Sequence, residues 1–356
     1  ELGLQDKVIF PRPLTVMYFN EKFYPFDSIL NALRFPGLGF GLNKIRFGFV
    51  GLFLRLTNNW RALEKVTADA WMMKWAGKQV YEQMWKPLLV GKFGPFYKDV
   101  NMAWMWARIK ARTTRLGTFE GGFQKFADLF TDQLRGMGVE IRLGTPIKFI
   151  KQNQASGGLN VDVESFDKVL VTTSPSLMAK MCPDLPENYL KGLLELKSMG
   201  AVVMVLSLKH QLSQQGYYWF SLPKEAGFPL LALVEHTNFV SKDHFGGDRI
   251  VYAGDYLEVG HEYFSLSDEE LLERFIPAFK RINPAFEKDW VKKVWVNKTN
   301  YAQPVPLVNH SENIPAIQTP IEGLYFASMS QVYPWDRGTN FAVEIGRRAA
   351  RMMLGK

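Results

Sequence analysis

Cysteine is almost missing from this chain. Cys182 stands alone among 356 residues, which excludes an internal disulfide and a cysteine-based metal site. Histidine is scarce too. His210, His236, His244, His261 and His310 show no metal spacing of the H-E-x-x-H kind. There is no Gly-x-Ser-x-Gly elbow and no Gly-x-x-x-x-Gly-Lys-Ser/Thr phosphate loop. A strand followed by Gly-x-Gly-x-x-Gly is absent as well. The nearest glycine cluster, Gly37, Gly39 and Gly41, follows Phe35-Pro36 and lacks the strand–turn–helix context. No stretch reaches the roughly 20 apolar residues a spanning helix needs, and no signal peptide is visible. Signatures of nucleic-acid recognition modules are missing, so a nucleic-acid partner is not expected.

What is present is a globular composition. Apolar residues make up 47% and aromatics 14%, which excludes a disordered chain, and the length suffices for two or three domains. Charge is unevenly spread. Residues 28–115 carry fifteen Lys/Arg against Glu64, Asp69, Glu82 and Asp99, a net of +11, whereas the whole chain is +8. So basic a region attracts phosphates, carboxylates or an anionic membrane surface, or is a solvated helical face.

Along the chain, Val16-Met17-Tyr18-Phe19 and Lys22-Phe23-Tyr24 flank the turn pair Asn20-Glu21, a hairpin pattern. Residues 28–115 read as mostly helical. Residues 37–56 are apolar nearly all round, with Lys44, Arg46 and Arg55 interspersed. Such a segment is either a buried bundle helix, which is the expectation, or one that lies on a membrane surface. Thr67 caps a helix carrying Trp71 and Trp75 on one side. Gly121-Gly122 opens another helix, closed by Gly136 and Gly138. Strands are expected at residues 139–143, 145–150, 159–165 and 168–173, with a turn at 153–158. Residues 200–221, 230–236, 249–258 and 290–300 are strand-rich, and Ser267 to Glu270 is a capping box before a helix that stops at Asn283-Pro284. Together they predict an antiparallel sheet backed by a helix.

The last stretch, residues 323–353, reads as a buried strand, a polar loop and a helix. Thr339 or Asn340 is expected at its N-cap, and Phe341, Val343, Ile345, Ala349 and Met353 on its buried face. A glycine-led helix start after a buried strand presents free N–H groups to an anionic or polar ligand. Thr172, Thr173 and Ser174 follow another strand, where ligands of open α/β sheets gather.

Gly338, Asn340, Ala342, Val343, Gly346 and Ala350 resemble the C-terminal flavin motif of the FAD-dependent amine oxidase, protoporphyrinogen oxidase and phytoene desaturase superfamily. Ser328-Met329 stands where that family usually has Gly-Asp. The resemblance spans nearly the whole chain. It implies an α/β (mixed α+β) fold: an incomplete glutathione-reductase-like FAD-binding domain interleaved with a substrate domain of antiparallel sheet plus helical bundle. The implied divisions are residues 1–117 and 176–308 for the substrate domain and 118–175 and 309–356 for the FAD-binding domain. The family's first βαβ unit would lie before Glu1, and this stretch alone is expected to bind FAD poorly.

The implied cofactor is FAD, with Gly121, Gly122, Ile147, Thr172, Thr173, Ser174, Ser328, Met329, Gly338, Thr339, Asn340 and Val343 as candidate contacts. Tyr333, Trp335 and Asp336 are candidate neighbours of the flavin. No catalytic side chain is identified. Lys298 is a candidate for a lysine near flavin N5, against the plainer reading of a solvated strand-end lysine. The resemblance implies an FAD-dependent oxidoreductase, protoporphyrinogen oxidase-like or desaturase-like, passing hydride from a substrate C–H to flavin N5. A flavin-dependent UDP-galactopyranose mutase-like isomerase, or a non-catalytic protein binding membranes or anionic ligands, are the alternatives. The expected partner is an anionic or apolar small-molecule substrate, in a cytoplasmic protein with peripheral membrane association.

Overall fold

The computed structural model describes residues 2–153 and 157–355. Half of the expected turn at residues 153–158, residues 154–156, therefore lies outside the described residues. Among those described, seven strands form one mixed sheet, in the order Val291–Pro304, Ser198–Leu208, Arg249–Leu257, Ala232–Glu235, Trp219–Ser221, Thr15–Phe19 and Lys22–Pro25. Every neighbouring pair is antiparallel except Trp219–Ser221 with Thr15–Phe19. The N-terminal hairpin thus joins the distant strands through one parallel pairing. Its turn residues Asn20 and Glu21 both have positive φ, at 45° and 61°. A two-residue turn with that twist matches the twist of its strands.

The helix Asp268–Ile282 covers this sheet. Ser267 and Glu270 close a capping box at its start, and Phe275 and Phe279 are buried against Val202, Met204 and Val251. A second core holds the helices Leu42–Leu56, Ala68–Ala76, Lys86–Phe93 and Met102–Lys110. Two smaller cores flank a parallel pair of strands, Val169–Val171 with Leu324–Phe326.

Residues 139–149 do not form the expected strands. Strand begins at Ile150–Gln152, and Val139, Leu143 and Ile147 are exposed. A strand is stable only when its backbone is paired in a ladder, and among the described residues this segment has only one backbone bond across to a later stretch, Asp162 N to Phe149 O at 3.0 Å. The expected strand at 159–165 is instead a small hairpin, Leu159–Val161 and Glu164–Phe166, turned at Asp162, whose φ is 51°.

Asp255 is an exception within the sheet. Alternation along Arg249–Leu257 puts it on the core face with Val251, Ala253 and Leu257. Lys224 reaches one carboxyl oxygen at 2.9 Å, and the other oxygen has no hydrogen-bond partner. Burial pushes the Asp255 carboxyl up to about 6, with Lys224 opposing. The folded protein therefore binds more protons than the unfolded chain between the ordinary aspartate range and about pH 6. Its stability should fall as pH rises through that window, by at most about 3 kcal/mol. Asp255→Asn should flatten this part of the pH profile of unfolding free energy. An unchanged slope would refute the assignment.

Candidate functional site

The two parallel strands set the first part of the site. Val171 O accepts from Ala327 N at 3.0 Å, so the strand ends advance together. Thr172, Thr173 and Ser174 leave one strand, and Ser328 and Met329 leave the other. Ser174 then caps the helix Pro175–Met181 by accepting from Leu177 N. Ser328 is buried. Its N–H donates to Gln331 Oε1 at 2.6 Å in a capping box around Met329–Gln331. The position that is usually acidic in the resembling family is here part of a self-satisfied turn.

The second part is the start of the helix Thr339–Met353. Gly338, rather than Thr339 or Asn340, is its N-cap, and no side chain caps it. The first-turn N–H groups of a 15-residue helix are thus left to a ligand or water. Ile345 and Ala349 form its buried face, whereas Val343 is about half exposed. Two residues before Ile345, Val343 is rotated about 200° from it and cannot share that face.

Thr339 and Asn340 line a cleft of about 830 Å3 together with Phe10, Phe119, Phe123 and Phe126. That volume and apolar lining suit an organic cofactor. Gly121 and Gly122 come in the chain between Phe119 and Phe123, which line the cleft. Their φ values are 81° and 85°, a left-handed pair that requires glycine. Ile147 is exposed in the irregular segment. The structure thus brings Thr339 and Asn340 to the cleft that the Gly121-Gly122 helix borders, and groups Thr172 to Ser174 with Ser328 and Met329 at the strand ends.

Of the third part, the sequence offered only Tyr333, Trp335 and Asp336 as candidates. The loop before the last helix runs into the helical bundle. Tyr333 donates to Glu64 Oε2 and accepts from Asn101 Nδ2, each at 3.0 Å. Trp335 lies between the rings of Phe341, stacked at 5.8 Å, and Trp106 at 5.2 Å. Asp336 accepts from Arg108 at 2.6 Å. Arg337 donates to Gln303 Oε1 and to the Tyr256 hydroxyl. Lys92, half-buried, also reaches Gln303 Oε1, at 3.4 Å. The Tyr256 ring holds both cations, with Lys92 Nζ 4.6 Å and Arg337 Cζ 5.0 Å from its centroid.

Three cations face one carboxylate here. Desolvation, then Arg108 and Arg337, hold the Lys92 amine well below the usual lysine range. Burial alone would raise Asp336, but Arg108, Lys92 and Arg337 outweigh it and hold it low. A cavity of about 20 Å3 between Trp104, His310, Met329, Tyr333, Asp336 and Arg337 adjoins them. Burial pushes His310 down to about 4, so the imidazole is neutral at neutral pH. The cluster thus holds three basic side chains against the single carboxylate of Asp336.

Lys298 does not join this group. It is exposed on the edge strand Val291–Pro304 and donates to the carbonyls of Leu266 and Phe264. Lys92, Arg108, Arg337 and Gln303 were missed because they come from segments up to 245 residues apart. The basic surplus of residues 28–115 was visible, but not which of its cations converge.

The model of flavin containing amine oxidoreductases matches residues 1–354. No curated protein sequence matches the chain. Among solved structures, a protein from Exiguobacterium sp. 255-15, provisionally assigned as a protoporphyrinogen oxidase, superposes with a TM-score of 0.74 at 16% identity. The alignment covers 100% of this chain and 83% of that one. Reduced UDP-galactopyranose mutase follows at 0.71 and 12% identity, covering 98% and 79%. Cyclohexylamine oxidase from Brevibacterium oxydans IH-35A gives 0.64 at 12% identity, covering 99% and 82%. At such identities these likenesses speak for the fold alone.

Proposed function

The chain belongs to the flavin-containing amine oxidoreductase family, and on that premise we propose that it oxidises a small substrate carrying an anionic group, with FAD as the cofactor. The observation that carries this reading is the convergence of three half-buried cationic groups, Lys92 and Arg108 from the helical bundle and Arg337 from the loop that leads into the uncapped helix start.

The residues present fit one end of FAD. The free N–H groups at Gly338, Thr339 and Asn340, opening on the 830 Å3 cleft, suit a ring that gathers negative charge when reduced. Ser328, Met329 and Thr172 to Ser174 stand at the strand ends to flank it. When bound, FAD accepts a hydride from a substrate C–H. The protein's part is to place that C–H. Lys92 and Arg337 would receive the substrate's acid group by charge-assisted hydrogen bonds, while Trp335 and Tyr333 wall the site from water. Arg108, already paired with Asp336, holds the loop in place.

A second reading draws on the same cations. A nucleotide diphosphate also suits them, and one structural neighbour is a UDP-galactopyranose mutase. Net redox turnover separates the two, since an isomerase consumes no oxidant.

The purified full-length protein should take up added FAD, with a bound-flavin absorbance spectrum, whereas residues 1–356 alone should bind it poorly. Anaerobic bleaching of the full-length protein should then proceed faster with carboxylate-bearing substrates than with their neutral esters or amides. Failure of the full-length protein to bind FAD would overturn the cofactor assignment. Equal bleaching rates would overturn the anionic substrate and leave the cofactor standing.

A further inference from the structure

The helix Leu42–Leu56 carries two apolar faces, and only one of them is covered. Val50 and Leu54 are buried in the helical bundle, and Phe47 packs there against Trp85. On the other side Leu42, Ile45, Phe49, Leu52, Phe53 and Leu56 are each between 49% and 69% exposed. At 100° per residue these six fall within an arc of about 100°. Six large apolar side chains in one stripe are far more than the scattered exposed leucines normal on a soluble surface.

The stripe extends beyond the helix. Phe40, just before its first turn, is 91% exposed. Phe53 stacks on Trp71 at 5.9 Å, and Trp71 meets the exposed Trp75 at 6.2 Å. Arg46 and Arg55 fasten the helix from its sides. Arg46 donates to the carbonyls of Lys74 and Trp75, and Arg55 to those of Ile109, Lys110 and Arg112. The exposed stripe is therefore held in place on a rigid frame, rather than being a frayed segment.

Charge identifies the occupant. Between Ser28 and Leu63 there are five Lys/Arg and no acid. Lys44 and Lys74 sit over the rings of Phe40 and Trp75 at 5.7 and 5.3 Å, placing cations at the rim of the apolar stripe. Among the described residues no helix is long and apolar enough to cross a membrane. We propose that the Leu42–Leu56 helix docks the protein onto an anionic lipid surface, its Leu42–Phe49–Leu56 stripe sunk among the acyl chains and its flanking cations at the phosphate level. An interfacial helix binds through buried apolar area plus attraction to anionic headgroups.

The test is vesicle co-sedimentation of the full chain. Phosphatidylcholine vesicles are compared with vesicles in which about a third of the lipid is phosphatidylglycerol. The protein should pellet with the anionic vesicles and only weakly with the neutral ones. Added salt should weaken binding without abolishing it, because the apolar share is not screened. Ile45→Asp/Phe49→Asp, two exposed positions one turn apart, should lower the partition about tenfold or more, with circular dichroism and thermal midpoint unchanged. Leu194→Asp, an exposed leucine on a different helix, should bind like the parent protein. Should the double variant not fold, Phe40→Asp lies outside the helix and carries the same expectation in smaller measure. No pelleting with anionic vesicles, or pelleting that survives the Ile45, Phe49 and Phe40 changes, overturns the proposal. So does a lipid-free dimer that the double substitution turns into a monomer, which would assign the stripe to a second copy of the chain.

Discussion

Glu64→Leu is expected to lower the unfolding free energy by about 2–3 kcal/mol. Glu64 is 5% exposed and joins two distant parts of the chain. Its carboxyl oxygens accept from the Tyr333 hydroxyl at 3.0 Å, from Ser311 Oγ at 2.9 Å and from Ser311 N at 3.2 Å. Its backbone carbonyl also accepts from Asn309 N at 3.1 Å. Leucine fills similar space but leaves the half-buried Tyr333 hydroxyl without its acceptor, at about 1–3 kcal/mol, while the two donors of the exposed Ser311 are left to water at a smaller cost. Removing a buried carboxylate gives some of this back through recovered desolvation, so the sum stays below the maximum. Glu64→Gln keeps one acceptor oxygen and should cost about 1–2 kcal/mol, as should Tyr333→Phe. Because Glu64 and Tyr333 touch, the double variant should be less destabilised than the two single changes added. Urea unfolding measures all four proteins. A Glu64→Leu midpoint equal to that of the parent protein would show that this tie does not hold the loop to the bundle.

Arg337→Ala should raise KM for a carboxylate-bearing substrate roughly a hundredfold, while a neutral analogue changes little. Truncating one member of a desolvated charge pair costs about 2–5 kcal/mol. Arg337 qualifies because Gln303 and the Tyr256 ring leave it with neutral partners only, apart from its neighbour Asp336, which Arg108 engages. Arg337→Lys should recover part of the loss, keeping the charge but not the two-pronged geometry. FAD affinity measured alongside separates loss of substrate from collapse of the loop. The same cluster carries a pH signature. Lys92 is held well below the usual lysine range, so it loses its proton at lower pH than an ordinary lysine. kcat/KM for an anionic substrate should fall as pH rises through that lowered value, and Lys92→Met should remove the fall. An unchanged KM for anionic substrates in Arg337→Ala would remove these residues from substrate binding.

Local signals in the chain were reliable wherever the physics is local. Asn20-Glu21 adopts the hairpin turn, Thr67 caps its helix, and the Ser267–Glu270 box forms. Each depends on contacts within a few residues. Strand readings that needed a distant partner were less secure. Residues 139–149 have the composition of strands but remain irregular and exposed, since a ladder requires a second chain segment that composition does not specify. Val343 failed for a simpler reason: its spacing from Ile345 breaks the helical period. Residues 37–56 were apolar nearly all round and burial was the expectation, yet the structure covers only one side of that helix.

The candidate site divides along the same line. The glycine-led start of the last helix, the Gly121-Gly122 turn and the strand ends at Thr172 and Ser328 were readable, because backbone geometry demands those residue types where they occur. The family and its FAD were readable with them. Nothing in the sequence distinguished Lys92 from fourteen other cations of its region, or favoured it over Lys298. That choice was made by packing. The loop carrying Asp336 and Arg337 folds across the bundle and meets Lys92, Arg108 and Gln303, while Lys298 is left on a sheet edge with two carbonyls. A lysine's chemistry is set by the charges and the water around it. Those come from segments far apart in the chain, and only tertiary structure brings them together.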